Sequence, residues 1–322
     1  MTTETLNLTL GLALTPRTKA LFDRSVQPEG INLECREQFS EGYDNTGARH
    51  RWIIEGRISG GELSTSSFIL ARSQGVPIRA LPVFLIRKFR HRCIYCPLTS
   101  HLKNPSELKG RRVTVHRYNS TTAVWVRGLL ENEYGVRPEE MEWHLVESEI
   151  GEGALSPAPR TVRVQFIPAP RTREHAIQMV GAGEIDVALE PYTDLAKNPN
   201  LRCVLEEPRQ TEAEYFLQTG VLPVIHTLVL REDIVADHPW VVKNILIAFR
   251  RARALDERYL SEEDKNEARW LRDLVGDDPF SYLLDSCAKK TLETLIDYQV
   301  QQGLLKQRPV LNDLFFPQSL QD

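Results

Sequence analysis

The stretch Leu222 to Leu230 is strongly apolar and holds a single histidine, His226. An imidazole in that setting can carry a proton near neutral pH, or it can be a core histidine hydrogen-bonded to backbone. Ser64-Thr65-Ser66-Ser67 places hydroxyls ahead of the apolar run Phe68-Ile69-Leu70. Hydroxyls with the N–H groups of a starting helix make an anion cradle; the plainer reading is a turn or cap. Tyr118-Asn119-Ser120-Thr121-Thr122 follows a strand pattern, Arg112 to His116, and caps an amphipathic helix from Ala123 to Tyr134. A strand, a polar loop and a helix start in succession suit a carboxylate or another anion, so Asn119, Ser120 and Thr121 are candidate ligand contacts. The same order recurs at Val162 to Ile167, Pro168-Ala169-Pro170-Arg171-Thr172 and a helix to Ala182, which adds Arg171 and Thr172. In the basic run Arg87-Lys88-Phe89-Arg90-His91-Arg92, alternation sends about half of the side chains to each face. That run reads as a solvated strand edge or, where an arginine turns inward, as a two-pronged grip on a carboxylate.

Other chemistries have no foothold. The sequence has no serine nucleophile elbow, no phosphate-binding glycine loop and no dinucleotide fingerprint, since Gly181-Ala182-Gly183 closes a helix and opens none. Cys93 and Cys96 have the short metal or redox spacing, but no second pair completes a site, so buried thiols are expected. The histidines lack metal-like pairing, and neither metal nor cofactor is expected. Forty basic residues against forty-four acidic give a formal charge of −4, which provides no field for a nucleic acid. No stretch approaches the roughly 18 to 20 apolar residues needed to cross a bilayer, and Met1 to Leu10 runs into a strand pattern without the marks of an export signal. A cytoplasmic protein with a small anionic partner is expected; the sequence leaves its oligomeric state open.

These groups need a frame. Leu6 to Ala13 alternates like a strand, Thr15-Pro16-Arg17-Thr18 opens a short helix, and Ile31 to Cys35 alternates again, a β-α-β beginning. Arg51 to Arg57 reads as helix, and Pro82 to Cys96 as strands leaving a first lobe. Glu147 to Thr161 reads as an exposed loop, and Leu222 to Leu230 as a strand returning to the first lobe. Pro239 to Tyr259, Glu262 to Val275 and Tyr282 to Gln302 have the helical period. The expected architecture is a two-lobed α/β fold. Residues 1–92 and 222–322 form a discontinuous first lobe with a helical C-terminal tail, and 93–221 form the second.

Several stretches occur in a familiar order. They are Glu62-Leu63-Ser64-Thr65-Ser66-Ser67, Phe89-Arg90-His91-Arg92-Cys93-Ile94-Tyr95, Ala123-Val124-Trp125-Val126-Arg127-Gly128, and Thr219-Gly220-Val221-Leu222-Pro223-Val224-Ile225-His226-Thr227. Together with Asp237-His238-Pro239-Trp240-Val241-Val242 and Gln302-Gly303-Leu304, this pattern resembles the 4,5-dihydroxyphthalate decarboxylase family over nearly the whole chain. The resemblance implies a type II periplasmic-binding-protein fold closing on a small anion, and cofactor-independent decarboxylation of an aromatic or cyclic carboxylic acid. It implies His226 and His91 as proton carriers, with Arg17, Arg90, Ser64, Ser66 and Ser67 among the substrate contacts. Where that family carries an acid after its second-lobe strand, this chain carries Arg117. An arginine can only donate, so a ligand with an extra acceptor or anionic group is expected there. Elimination or rearrangement of a cyclic acid in the same cleft, and a non-catalytic small-molecule-binding protein, are the alternative readings.

Overall fold

The alternation that begins the chain becomes strand β1 (Leu6–Gly11), and Leu8 and Leu10 turn one face of it into the core. The computed structural model describes residues 5–39, 45–146, 158–189 and 193–319. After β1 come α1 (Lys19–Phe22), β2 (Ile31–Arg36), α2 (Asn45–Ile54), β3 (Gly60–Ser64), α3 (Thr65–Ser73) and β4 (Ile78–Arg87). Next are β5 (Ile94–Pro97), β6 (Arg112–Val115), α4 (Thr121–Tyr134), β7 (Glu142–Leu145), β8 (Arg163–Phe166), α5 (Arg173–Gly181), β9 (Val187–Leu189), β10 (Leu201–Cys203) and α6 (Pro208–Thr219). The chain ends with β11 (Val224–Arg231), α7 (Glu232–Asp237), α8 (Trp240–Arg253), α9 (Glu262–Val275) and α10 (Ser286–Gln301). Two compact units result: Met1–Arg87, Val224–Leu292 and Pro309–Asp322 form one, and Lys88–Pro223 with Glu293–Arg308 form the other.

The first unit is built on the sheet β2-β1-β3-β11-β4, with β1 parallel to both neighbours and β11 antiparallel to β3 and β4. Its second strand alternates buried Ile31 and Leu33 with exposed Asn32 and Glu34, as an edge strand should. Helix α8 turns Val241, Val242, Ile245, Leu246, Phe249 and Ala252 onto Leu8, Leu10, Leu81, Leu228 and Leu230. At roughly 1.5–3 kcal/mol for each large apolar side chain, this stripe is a main source of the unit's stability.

The polar patch at Glu62 to Ser67 is where turn or cap chemistry and the structure part. Gly60 to Ser64 is a fully buried central strand, and all of Thr65 to Ala71 is buried in the helix that follows. Its sequence lacks β-branched residues because backbone proximity decides here. A Cβ at Gly60 would stand 2.1 Å from the Val229 carbonyl oxygen, and one at Gly61 2.2 Å from that of Gly11. Only glycine lets β3 sit between its two neighbours.

The second unit carries the sheet β10-β5-β9-β6-β7-β8, in which β9, β6, β7 and β8 are parallel and β5 and β10 run against them. Helix α4 starts at Thr121, with the Ser120 hydroxyl accepting from the Ala123 N–H, and ends where Gly135 takes φ 66°. Cys93 and Cys96 are not on one strand, because a 3-10 turn (His91–Cys93) precedes the short β5. Of the expected Glu147 to Thr161 loop, residues 147–157 lie outside the described ones. Among the described residues no helix is long and apolar enough to cross a membrane, and no group of three or more His, Cys, Asp or Glu could hold a metal ion.

Packing in this unit supplies a test. A Cβ on Gly128 of α4 would lie 2.0 Å from the Tyr298 ring, which stacks edge-on to Trp125 at 5.5 Å. Gly128→Ala should therefore cost about 1–3 kcal/mol in urea unfolding, the usual range for an overpacked core. An unchanged midpoint would show that the ring has room to move.

Candidate functional site

His226 pairs with Ser64 in the antiparallel register of β11 and β3, and Leu228 pairs with Glu62. Side chains two apart share a face of a strand, so Glu62, Ser64 and His226 point the same way. His226 Nδ1 lies 2.5 Å from Glu62 Oε1, with the carboxylate 2% exposed and the imidazole 16% exposed. The other oxygen, Oε2, accepts the Ala13 N–H at 2.9 Å and faces Arg49 Nη2 at 3.9 Å. Burial by itself would raise the Glu62 carboxyl. The charge of Arg49, the hydrogen bond and charge of His226, and the Ala13 N–H outweigh it and hold the group far below the usual carboxylate range.

The geometry fixes a tautomer. A carboxylate can only accept, so Nδ1 of His226 is the donor and Nε2 is left to give or take a proton. The His50 ring, itself buried, stands edge-on to His226 with centroids 5.5 Å apart. Immediately beyond Ser64 the chain enters α3, and Thr65 Oγ1, at the first turn, is buried with no hydrogen-bond partner among the described residues. A helix start, a buried hydroxyl and an oriented imidazole thus adjoin within one unit. They can hold an anion and exchange a proton with it.

Of the residues singled out in the sequence, His226, Ser64, Ser66 and Ser67 lie in this arrangement or on the first turn of α3 beside it. Glu62, Arg49 and His50 escaped notice. The Gly60-Gly61 pair ahead of an isolated acid was the available signal for Glu62. Arg49 and His50 lie on α2, which begins and ends earlier than the expected Arg51 to Arg57 helix, and no spacing tied them to β3. Arg17 makes other contacts: its guanidinium lies 3.6 Å from the Phe280 ring centroid and 3.9 Å from Asp256.

The second unit holds the remaining candidates. His91 is buried with its ring 5.0 Å from that of Tyr215; burial, with the charge of Arg92 behind it, pushes its pKa down to about 4. At neutral pH it is therefore a neutral imidazole. Arg90 is fully enclosed, and the burial that lowers its pKa is opposed by the Cys93 thiol and the Glu212 carboxylate. Glu212, on α6, is wholly buried and takes Arg92 Nε at 3.0 Å; it too had escaped notice. Arg117, Asn119 and Thr121 are buried around the start of α4, where the Ser120 hydroxyl serves as cap. Arg171 is exposed beside the Phe166 ring, and the Thr172 hydroxyl caps α5 through the His175 N–H.

No protein-family model matches the sequence. Solved structures share its fold. The periplasmic aliphatic sulphonate-binding protein SsuA of Escherichia coli matches with TM-score 0.59 at 12% identity, over 96% of this chain and 92% of that one. The periplasmic sulfonate-binding protein SsuA of Methylobacillus flagellatus gives 0.62 at 13%, over 98% and 93%. The desulfurization enzyme DSZB gives 0.57 at 14%, over 97% of both. The chain has the α/β fold of periplasmic binding proteins. In sequence, the 4,5-dihydroxyphthalate decarboxylase of Comamonas testosteroni is 29% identical over 277 residues, 81% of this chain and 82% of the relative. The enzyme of that name from Pseudomonas putida is 30% identical over 218 residues, 66% of this chain and 81% of the relative. The chain belongs to the 4,5-dihydroxyphthalate decarboxylase family, and is an enzyme of decarboxylase-like kind.

The buried pair gives the site an acid signature. Because the folded-state pKa of Glu62 is depressed, its stabilisation is present above the unfolded value of about 4.3 and is lost as pH falls through the folded value. Glu62→Gln leaves Arg49 buried beside a neutral amide and should cost about 3 kcal/mol at pH 7. That deficit should shrink steadily below about pH 4. Denaturant unfolding of both proteins from pH 7 to 3 measures it, and a deficit independent of pH would show that the charge of Glu62 contributes nothing.

Proposed function

We propose that the chain is a cofactor-independent decarboxylase of an aromatic or cyclic carboxylic acid related to 4,5-dihydroxyphthalate. The observation that carries this reading is His226, held through Nδ1 by a buried carboxylate and set beside the start of α3. The names of the two relatives support it.

The chemistry matches what such a group can do. The substrate carboxylate is held at the first turn of α3, where the backbone N–H groups and the Thr65 hydroxyl meet it. The protonated imidazole gives its Nε2 proton to the ring carbon bearing that carboxylate. A ring hydroxyl para to this carbon supplies the electron pair and becomes carbonyl-like as the new C–H bond forms. The bond to the carboxylate then breaks, its electrons restore the aromatic ring and the hydroxyl, and carbon dioxide leaves. Neutral His226 regains its proton from solvent, so one proton is consumed for each carbon dioxide released. Glu62 never needs to be protonated: it keeps the imidazole in one tautomer and balances the imidazolium charge. His91, as a neutral buried ring, is not the proton donor in this scheme.

In the second unit, Arg117, Asn119, Ser120 and Thr121 are proposed as ligand contacts, with Arg117 favouring an additional anionic or acceptor group. The solute-binding proteins among the structural neighbours support a second reading, in which the chain binds a small acid without transforming it.

Carbon dioxide release from a panel of hydroxylated aromatic and cyclic acids separates the two. Decarboxylation of a panel member by wild type, reduced about 10²–10⁴-fold in His226→Gln with binding kept within roughly tenfold, is the expected result. Tight binding with no release from any acid would support the binding protein instead. Arg117→Glu should shift preference within the panel towards ligands with a free hydroxyl in place of an anionic group, as read by thermal shift. Identical rankings would remove Arg117 from the ligand contacts.

A further inference from the structure

Helix α9 places Lys265, Arg269 and Arg272 four and three residues apart, on a single stripe. Like charges at these spacings repel along a helix, by a few tenths of a kcal/mol per pair. The stripe faces inward on one side of a cavity of about 190 Å³, and Arg17, Arg253, Asp256 and Phe280 form the other side. Five cationic side chains meet two carboxylates, Asp256 and Glu257, on its wall.

Those acids and their neighbours are largely engaged. Asp256 takes Arg253 at 3.0 Å and has Arg17 at 3.9 Å; Arg253 also reaches Asp278 at 3.0 Å, and Lys265 is paired with Glu262 at 2.7 Å. Among the described residues neither Arg269 nor Arg272 forms an ion pair. Arg269 reaches only the Asn266 amide oxygen at 3.4 Å, and feels Glu262 at longer range. Asp264, whose charge also reaches Arg17, is held by the Ser261 hydroxyl. Phe280, 4% exposed, gives the cavity an apolar floor with Arg17 stacked on it. Exposed arginines turned on buried ones across a small hollow form a concentrated positive field, which an anion in the hollow would neutralise.

We propose that this cavity is a binding site for a small multivalent oxyanion, of the phosphate or compact polycarboxylate class. It is distinct from the site at Glu62 and His226, none of whose side chains lines it. It adjoins the turn that serves that site, however. Ala13 donates its N–H to Glu62, and the Thr18 hydroxyl, next to Arg17, closes the same turn on the Ala13 carbonyl at 2.6 Å.

The test follows the thermal midpoint of the full chain while inorganic phosphate, or in a second arm citrate, is titrated at ionic strength fixed with sodium chloride. Wild type should show a saturable rise with at least one of the two, and the arm that responds identifies the oxyanion. Arg269→Ser/Arg272→Ser, at exposed positions, should need at least about tenfold more anion, a loss of about 1.4 kcal/mol. Without anion this variant should melt no lower than wild type, since only repulsion has been removed. His226→Gln should keep the full response. No saturable rise in either arm, a rise unchanged in the double variant, or a rise lost in His226→Gln would each overturn the proposal. A lower midpoint of the double variant without anion would mark the two arginines as structural and overturn it too.

Discussion

The first unit depends on keeping one negative charge where water cannot reach it. An isolated carboxylate in that position would take up a proton sooner than stay ionised. Glu62 stays ionised because three segments converge on it: the turn after β1 through the Ala13 N–H, α2 through Arg49, and β11 through His226. Each of those contacts also fixes something else. The Ala13 bond sets the start of the Thr15–Thr18 turn, the Arg49 contact holds α2 against the sheet, and the His226 bond determines which ring nitrogen can meet a ligand. The two glycines before Glu62 are part of the same arrangement, since β3 could not reach this depth with side chains against Gly11 and Val229.

The second unit solves a similar problem with the sign reversed. Arg127, on the inner side of α4, is fully buried and stacks on Tyr118 with its guanidinium 3.7 Å from the ring centroid. Its Nε donates to Gln302 Oε1 at 2.9 Å, and Gln302 Nε2 donates in turn to the Val124 carbonyl at 2.9 Å. Aromatic faces and an amide take the place of a carboxylate around this cation. The ring it grips lies between Arg117 and Asn119, so the loop leading into α4 is fixed from beneath. Arg90 and Arg92 are handled in the ordinary way, by the buried carboxylate of Glu212.

Much of this was legible from the chain alone, for local reasons. The α/β alternation, the exact span of α9 from Glu262 to Val275, and the Gly135 stop of α4 follow from periodicity and from residues whose backbone preferences act where they stand. His226 stood out because it is the one polar side chain among apolar neighbours in a strand. Its partner did not. Glu62 lies 164 residues away, in a stretch whose glycines and serines carry turn and cap preferences, and only pairing between β1 and β11 made that stretch a strand. Arg127 was readable as a surface residue of an amphipathic helix until Tyr118, Trp143 and Gln302 enclosed it. The sequence by itself determined which segments are strands and helices and which side chains could handle protons or anions. The tertiary structure decided which of them are charged, which tautomer they hold and what they face, because burial and partner choice depend on residues brought together across the whole length of the chain.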